Sequence, residues 1–129
     1  MGEFRLSRPA EAELDGILDW SEARFHEIGR IRYATLLVQA MQDVADDPQR
    51  SGVEWIHALG MRIGVYHAWH SRNNVPDPAE RVHEPRHLLV FRIADDGIVD
   101  VLGFAHDSML RSRALCRIIR GSASDDRPQ

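Results

Sequence analysis

Two alternating runs, residues 86–94 and 98–105, stand either side of Asp95-Asp96-Gly97, and this arrangement narrows the fold more than any other stretch of the chain. An acidic-Gly link between alternating apolar runs marks an antiparallel β-hairpin. A three-residue loop with Gly97 in the left-handed region pairs Ala94 with Ile98, hence Arg92 with Asp100, Val90 with Leu102, Leu88 with Phe104 and Arg86 with His106. The opposite charges of Arg92 and Asp100 favour this register, whereas a two-residue loop would set Ile93 against Asp100. It brings Arg86 and His106 together at the sheet rim, either as a site or simply as polar strand ends meeting solvent.

The rest of the chain must cover that sheet. In residues 3–7, Phe4 and Leu6 alternate with charged neighbours and read as a short strand. Ser7 caps a helix with Pro9 in its first turn and with Glu11 and Glu13 where the helix dipole favours carboxylates. Its apolar stripe is Ala10, Leu14, Ile17, Leu18 and Phe25, and Gly29 ends it. A second helix, from Arg30, carries Tyr33, Leu36, Leu37, Ala40, Met41 and Val44 on one face until Asp47-Pro48 stops it. Helices joined so closely form an antiparallel hairpin. Residues 49–59 read as irregular, 61–70 as another strand, 71–84 as a long connection and 108–120 as a short last helix. The expected fold is α+β: an N-terminal strand, a two-helix antiparallel hairpin, then a three-stranded antiparallel sheet with a short C-terminal helix. Both helices are expected to lie on a sheet containing Ile63, Val65, Val90, Phe91, Val101 and Leu102. Residues 1–120 make the single domain, and 121–129 a disordered polar tail.

Composition excludes more than it names. A chain of 129 residues buries roughly two-thirds of its unfolded surface without staples. One cysteine, Cys116, rules out an internal disulfide and a Cys-based zinc site. Nothing reads as a signal peptide or membrane span, so a cytoplasmic protein with no membrane partner is expected. Residues 1–50 hold ten acidic residues against six Arg, and the remainder ten against ten, so an anion-facing surface belongs to the second part. All sixteen cations are Arg. Without a Lys to tune, proton transfer would fall to His.

Several smaller constellations have plain readings. His67-Ala-Trp-His70 has a metal-like look, but a spacing of three along a strand sends the rings to opposite faces, and no metal or other cofactor is expected. His106, Asp107 and Ser108 are too close in sequence to converge as a nucleophile triad, and Asp107-Ser108 suits a helix cap. Trp20, Trp55 and Trp69 read as packing residues, with Trp20, off the helix stripe, the one placed to face a partner. Arg111, Arg113, Arg117 and Arg120 form a basic run, a solvated face or a surface for DNA or an acidic partner.

The order of these features resembles a family. Arg5-Leu-Ser-Arg-Pro-Ala and Leu14-Asp-Gly-Ile-Leu-Asp-Trp are similar to the opening of bacterial toxins of the RelE/ParE superfamily, and the likeness resumes through the Tyr33 helix and Asp47-Pro48. It is strongest from residue 86 to 109, where a strand ending in Phe-Arg, an acidic-Gly turn, a second strand and His106-Asp-Ser-Met precede an Arg-rich tail. Residues 72–84 look like an insertion. The ParE branch is indicated, because RelE-like nucleases typically carry clustered Lys and Arg and a Tyr near the C-terminus, and here no Lys occurs and no Tyr follows Tyr66.

The resemblance implies the toxin of a type II toxin-antitoxin system, acting on DNA gyrase, alone or together with its DNA, without catalysis of its own. It further implies neutralisation by a ParD-like antitoxin in a hetero-oligomer. The antitoxin tail would dock beside the helices and on a strand edge near residues 4–6 or 61–65. Target-binding candidates are Arg86, Arg92, His106, Arg111 and Arg113. The alternatives are a RelE-like ribosome-dependent mRNA endoribonuclease using His87, His106, Arg62, Arg86 and Arg92, and an inactive remnant that only binds antitoxin.

Overall fold

The computed structural model describes residues 2–109 and 111–125. Its elements are β1 (Phe4–Leu6), α1 (Arg8–Asp46), β2 (Val53–Ala58), β3 (Met61–His67), β4 (His87–Ile93), β5 (Val99–His106) and α2 (Arg111–Asp125). The strands form one five-stranded sheet in the order β1-β5-β4-β3-β2. Antiparallel neighbours run from β2 to β5, and β1 lies parallel to β5, with Phe4 opposite Val99 and Leu6 opposite Val101.

This corrects the expected strand, two-helix hairpin and three-stranded antiparallel sheet. One helical element runs from Arg8 to Asp46 in place of two helices with a loop at Gly29. Ser7 starts it as a cap, accepting from the Ala10 N–H at 3.1 Å. The element bends at His26, whose φ of 64° and ψ of −170° leave the helical region. Beyond the bend Arg30 reaches Asp19 at 2.7 Å and Ser21 Oγ donates to the Gly29 carbonyl at 3.1 Å. In a straight helix, eleven residues would span about 16 Å. α1 thus carries the chain from the β1 edge to the β2 edge, and the next four strands meander back.

The sheet is mixed and larger than expected because residues 53–58, read as irregular, form edge strand β2. Its hairpin with β3 turns on Leu59 and Gly60, both at positive φ. A Leu-Gly turn lacks the Asn-Gly or Asp-Gly signal that marks such hairpins in sequence. β3 therefore lies inside the sheet, between β2 and β4, and residues 61–65 offer no free edge.

Each face of the sheet has its own core. Tyr33, Leu36, Leu37, Ala40, Met41 and Val44 of α1 pack on Tyr66, Leu89, Phe91, Val99, Val101 and Phe104. On the other face Ala114, Leu115, Ile118 and Ile119 of α2 cover Ile63, Val65, Val90 and Leu102. The six strand residues expected under α1 alone are all buried but divide between the two faces. α2 extends to Asp125, and residues 126–129 of the expected tail lie outside the described residues.

The hairpin register holds near the turn and then slips. Arg92 lies opposite Asp100, and the Ala94 N–H donates to the Ile98 carbonyl at 2.9 Å. After the Phe91–Val101 pair, however, Val90 meets Gly103, a one-residue bulge. His87, not Arg86, is consequently the partner of His106. The crowding at Gly103 explains part of this, since a Cβ there would lie 2.5 Å from Glu13 and 2.8 Å from Ile118. The bulge also sets Phe104 on the α1 face, with His106 two residues on approaching Trp20 of α1.

Candidate functional site

The open end of the β4–β5 hairpin, opposite its turn, gathers a cluster of aromatic and titratable groups. α1 delivers Trp20 before its bend and Tyr33 after it, β4 opens with His87, and β5 closes with His106. The His87 and His106 rings stand 5.1 Å apart and nearly perpendicular, and Trp20 lies 5.4 Å from His87 and 6.3 Å from His106. These are edge-to-face contacts of the kind aromatic rings favour.

Hydrogen bonds fix the protons here. The Tyr33 hydroxyl accepts from the Arg86 N–H at 3.0 Å, so its own proton points to His87 Nδ1 at 2.6 Å. Burial pushes the Tyr33 hydroxyl up to about 12 and keeps it a donor. Burial, reinforced by neighbouring His106, lowers His87 to about 4, which leaves a neutral ring at physiological pH. His106 Nδ1 accepts from the Ser108 N–H at 3.1 Å and from its hydroxyl at 2.7 Å. The remaining nitrogen, Nε2, therefore bears the proton of the neutral ring and offers a donor.

Asp107 ties the rim together. It receives His67 Nε2 at 3.0 Å and the Arg86 guanidinium at 3.0 Å. Burial opposes its charge, but hydrogen bonds from His67 and Arg86 prevail and hold the carboxyl below its ordinary range. The other His67 nitrogen accepts from the Trp69 N–H, so both are occupied within the protein. β3 ends at His67 and a 3-10 segment, Ala68–Asn74, carries His70, so the strand argument about opposite faces does not apply to this pair. Among the described residues no three His, Cys, Asp or Glu are grouped to hold a metal.

The candidates read from sequence divide between the two ends of the sheet. Arg86, His87 and His106 meet at the open end. Arg111 lines a hollow with His106 and Asp107 and pairs with Glu54 at 2.8 Å, tying α2 to the β2 edge. Arg113 is exposed on α2. Arg92 sits by the turn, 3.4 Å from Asp100, and lies five positions along the strand from His87, about 17 Å. Arg62 lies toward that same end, stacked 4.0 Å from the Trp55 ring centre. Neither joins the histidines. The residues sequence reasoning missed are Tyr33 and Asp107, one assigned to a packing stripe and the other to a cap. The one available signal was Trp20, which stood off its helix stripe.

Beside this cluster a groove of about 940 Å³ runs between the α1 bend and residues 81–86. Trp20, Phe25 and Tyr33 give it an aromatic wall, and Arg24, Arg32 and Arg81 join Arg86 around it. The family model described as the ParE toxin of the type II toxin-antitoxin system parDE matches residues 4–111. The chain belongs to that family. No curated protein sequence gives a significant match. The family match spans β1 through β5 and reaches the first residue of α2, so the open-end cluster and its groove lie within the ParE-type region. No described helix is long and apolar enough to cross a membrane.

Proposed function

We propose that this ParE-family toxin arrests growth by binding DNA gyrase, without a reaction of its own, and that a ParD-like antitoxin neutralises it in the cytoplasm. The observation that carries the choice of target is the scatter of the nuclease candidates, with His87 buried against Tyr33 and two of the required Arg at the far end of the sheet. A message-cleaving toxin needs a base poised near neutral pH and cations gathered on the scissile phosphate. Here His87 is buried, neutral and hydrogen-bonded to Tyr33, and His106 accepts from Ser108. Arg62 and Arg92, needed by the nuclease reading, sit by the other end of the sheet. The open end instead presents donors and rings on a rigid support, which suits binding.

The test is supercoiling by purified gyrase with and without the chain, beside cleavage of translated messages in a reconstituted ribosome reaction. Inhibited supercoiling with intact messages is the expected result. Cleaved messages, with a loss of about a hundredfold or more in His106→Ala, would move the reading to the nuclease. The proposed antitoxin predicts that expression of the chain alone slows growth and that co-expression of a ParD-like protein restores it.

A further inference from the structure

The groove beside Trp20 does not end at Arg86. A second hollow, lined by His67, Trp69 and His70, shares His83, Glu84 and Arg86 with it. Both are furnished alike. Trp69 is 46 % exposed and carries Arg72 at 3.5 Å from its ring centre, while Phe25 is 56 % exposed and Trp20 beside it carries Arg24 at 5.1 Å. Two aromatic platforms, each partnered by a guanidinium, thus flank one central Arg. Arg86 and Arg32 are matched by Asp107 and Glu80. Arg24 and Arg81 pair with no carboxylate among the described residues, and set against Glu84, which lines both hollows, they leave a net excess of one positive charge.

We propose that the two hollows form one track for single-stranded DNA, with bases lying against Trp69 and Phe25 and phosphates meeting Arg86, Arg24 and Arg81. Flat rings alternating with planar cations are what single-strand sites use, because every base has a stacking face and every link carries a charge. An amphipathic peptide helix would be drawn to Phe25, Ile28 and Val82 in the first hollow but gives no role to the Trp69–Arg72 platform across Arg86. A duplex keeps its bases paired and stacked on one another, so it has no free base face to lay on Trp69 or Phe25. The track rests on the gyrase reading only for the source of the strand, namely DNA opened by the target.

The experiment is fluorescence anisotropy of a labelled oligothymidylate with the full chain over a range of salt. Binding is expected with a logarithmic salt slope of about −2, since each of three phosphates contributes about −0.7. Phe25→Ala with Trp69→Ala should weaken binding at least about tenfold. Arg24→Ala with Arg81→Ala should bring the slope nearer zero by about 1.4. Phe25, Trp69 and Arg24 are exposed, whereas Arg81 is half-buried with its Nε donating to the Val75 carbonyl at 3.0 Å, and circular dichroism melting checks that the variants remain folded. Dissociation constants weaker than about 10⁻⁴ M at low salt would overturn the track. So would folded variants that bind as the parent does, or an acidic amphipathic peptide filling the groove without displacing the oligonucleotide. Gyrase inhibition by a chain that fails to bind the strand sinks the track and leaves the target standing, whereas strand binding without inhibition does the reverse.

Discussion

At its turn the β4–β5 hairpin is tied by ion pairs, and at its open end by buried neutral hydrogen bonds beneath aromatic rings, with the Arg86–Asp107 ion pair outside them. Arg5 of β1 bonds to both Asp96 and Asp100, and Arg92 shares Asp100. Ion pairs so exposed stabilise by about 0–1 kcal/mol, because water and salt screen them. At the open end Arg86, Tyr33 and His87 form a chain in which Tyr33 and His87 are buried. Breaking a buried link costs about 1–3 kcal/mol, since the abandoned group cannot turn to water. Two polar clusters on the same pair of strands thus differ in how firmly they hold geometry, and the firmer one carries the candidate site.

The comparison presupposes one rigid support beneath both ends, and the largest effect tests that. Leu36→Asp puts an unpaired charge in the core between α1 and the sheet, where Leu36 has no exposure. The domain should unfold, as such burial costs several kcal/mol. A cooperative thermal transition near the parent's would break the packing described here.

Acid should separate the ends. His87 lies near 4 when folded, against an ordinary value of 6.5, so the unfolded state binds the extra proton between those values. Its contribution is complete above about pH 6.5 and is lost as pH falls to 4, by up to about 3 kcal/mol. Asp96, held below its ordinary range by the Ile98 N–H and Arg5, should release its share only below the usual carboxylate range. Urea titrations at stepped pH should show the upper loss vanish in His87→Gln. An unchanged pH profile in that variant would refute the neutral, buried imidazole.

Tyr33→Phe comes next. It removes the hydroxyl serving both the Arg86 N–H and His87 Nδ1, and stability should fall by about 1–3 kcal/mol in urea. Toxicity should fall with it if the open end is the working surface. The smallest effect belongs to Arg92→Ala, about 0.2–1 kcal/mol, with growth arrest retained. Equal losses in stability and arrest from Tyr33→Phe and Arg92→Ala would erase the distinction between the ends.

The two ends were also unequally legible in sequence. The turn end could be read because local chemistry decides it. Gly97 adopts a φ of 83°, the loop length follows, and Arg92 must then meet Asp100. The α1 stripe from Tyr33 to Val44 was readable for the same reason, since helical spacing alone exposes it. The open end depends on the bulge at Leu102 and Gly103, and that is set by crowding from Glu13 and Ile118, residues remote in the chain. A slip of one residue exchanged Arg86 for His87 as the partner of His106. The bend at His26 was equally hidden, because Gly29 three residues later was the more natural break. α2 was expected to be short, yet it closes the second face, which is why the sheet residues could not be assigned to two cores from their spacing.

The pairing of β1 with β5 sets an order of events during synthesis. Phe4 emerges early but must wait for Val99 to complete its ladder, 95 residues later along the chain. Until then β1 has no partner strand, the Arg5 clamp lacks Asp100, and His106 has not reached His87. Contacts so distant in sequence form late and slowly. A ribosome making this toxin therefore carries a chain with no assembled open end until β5 has emerged.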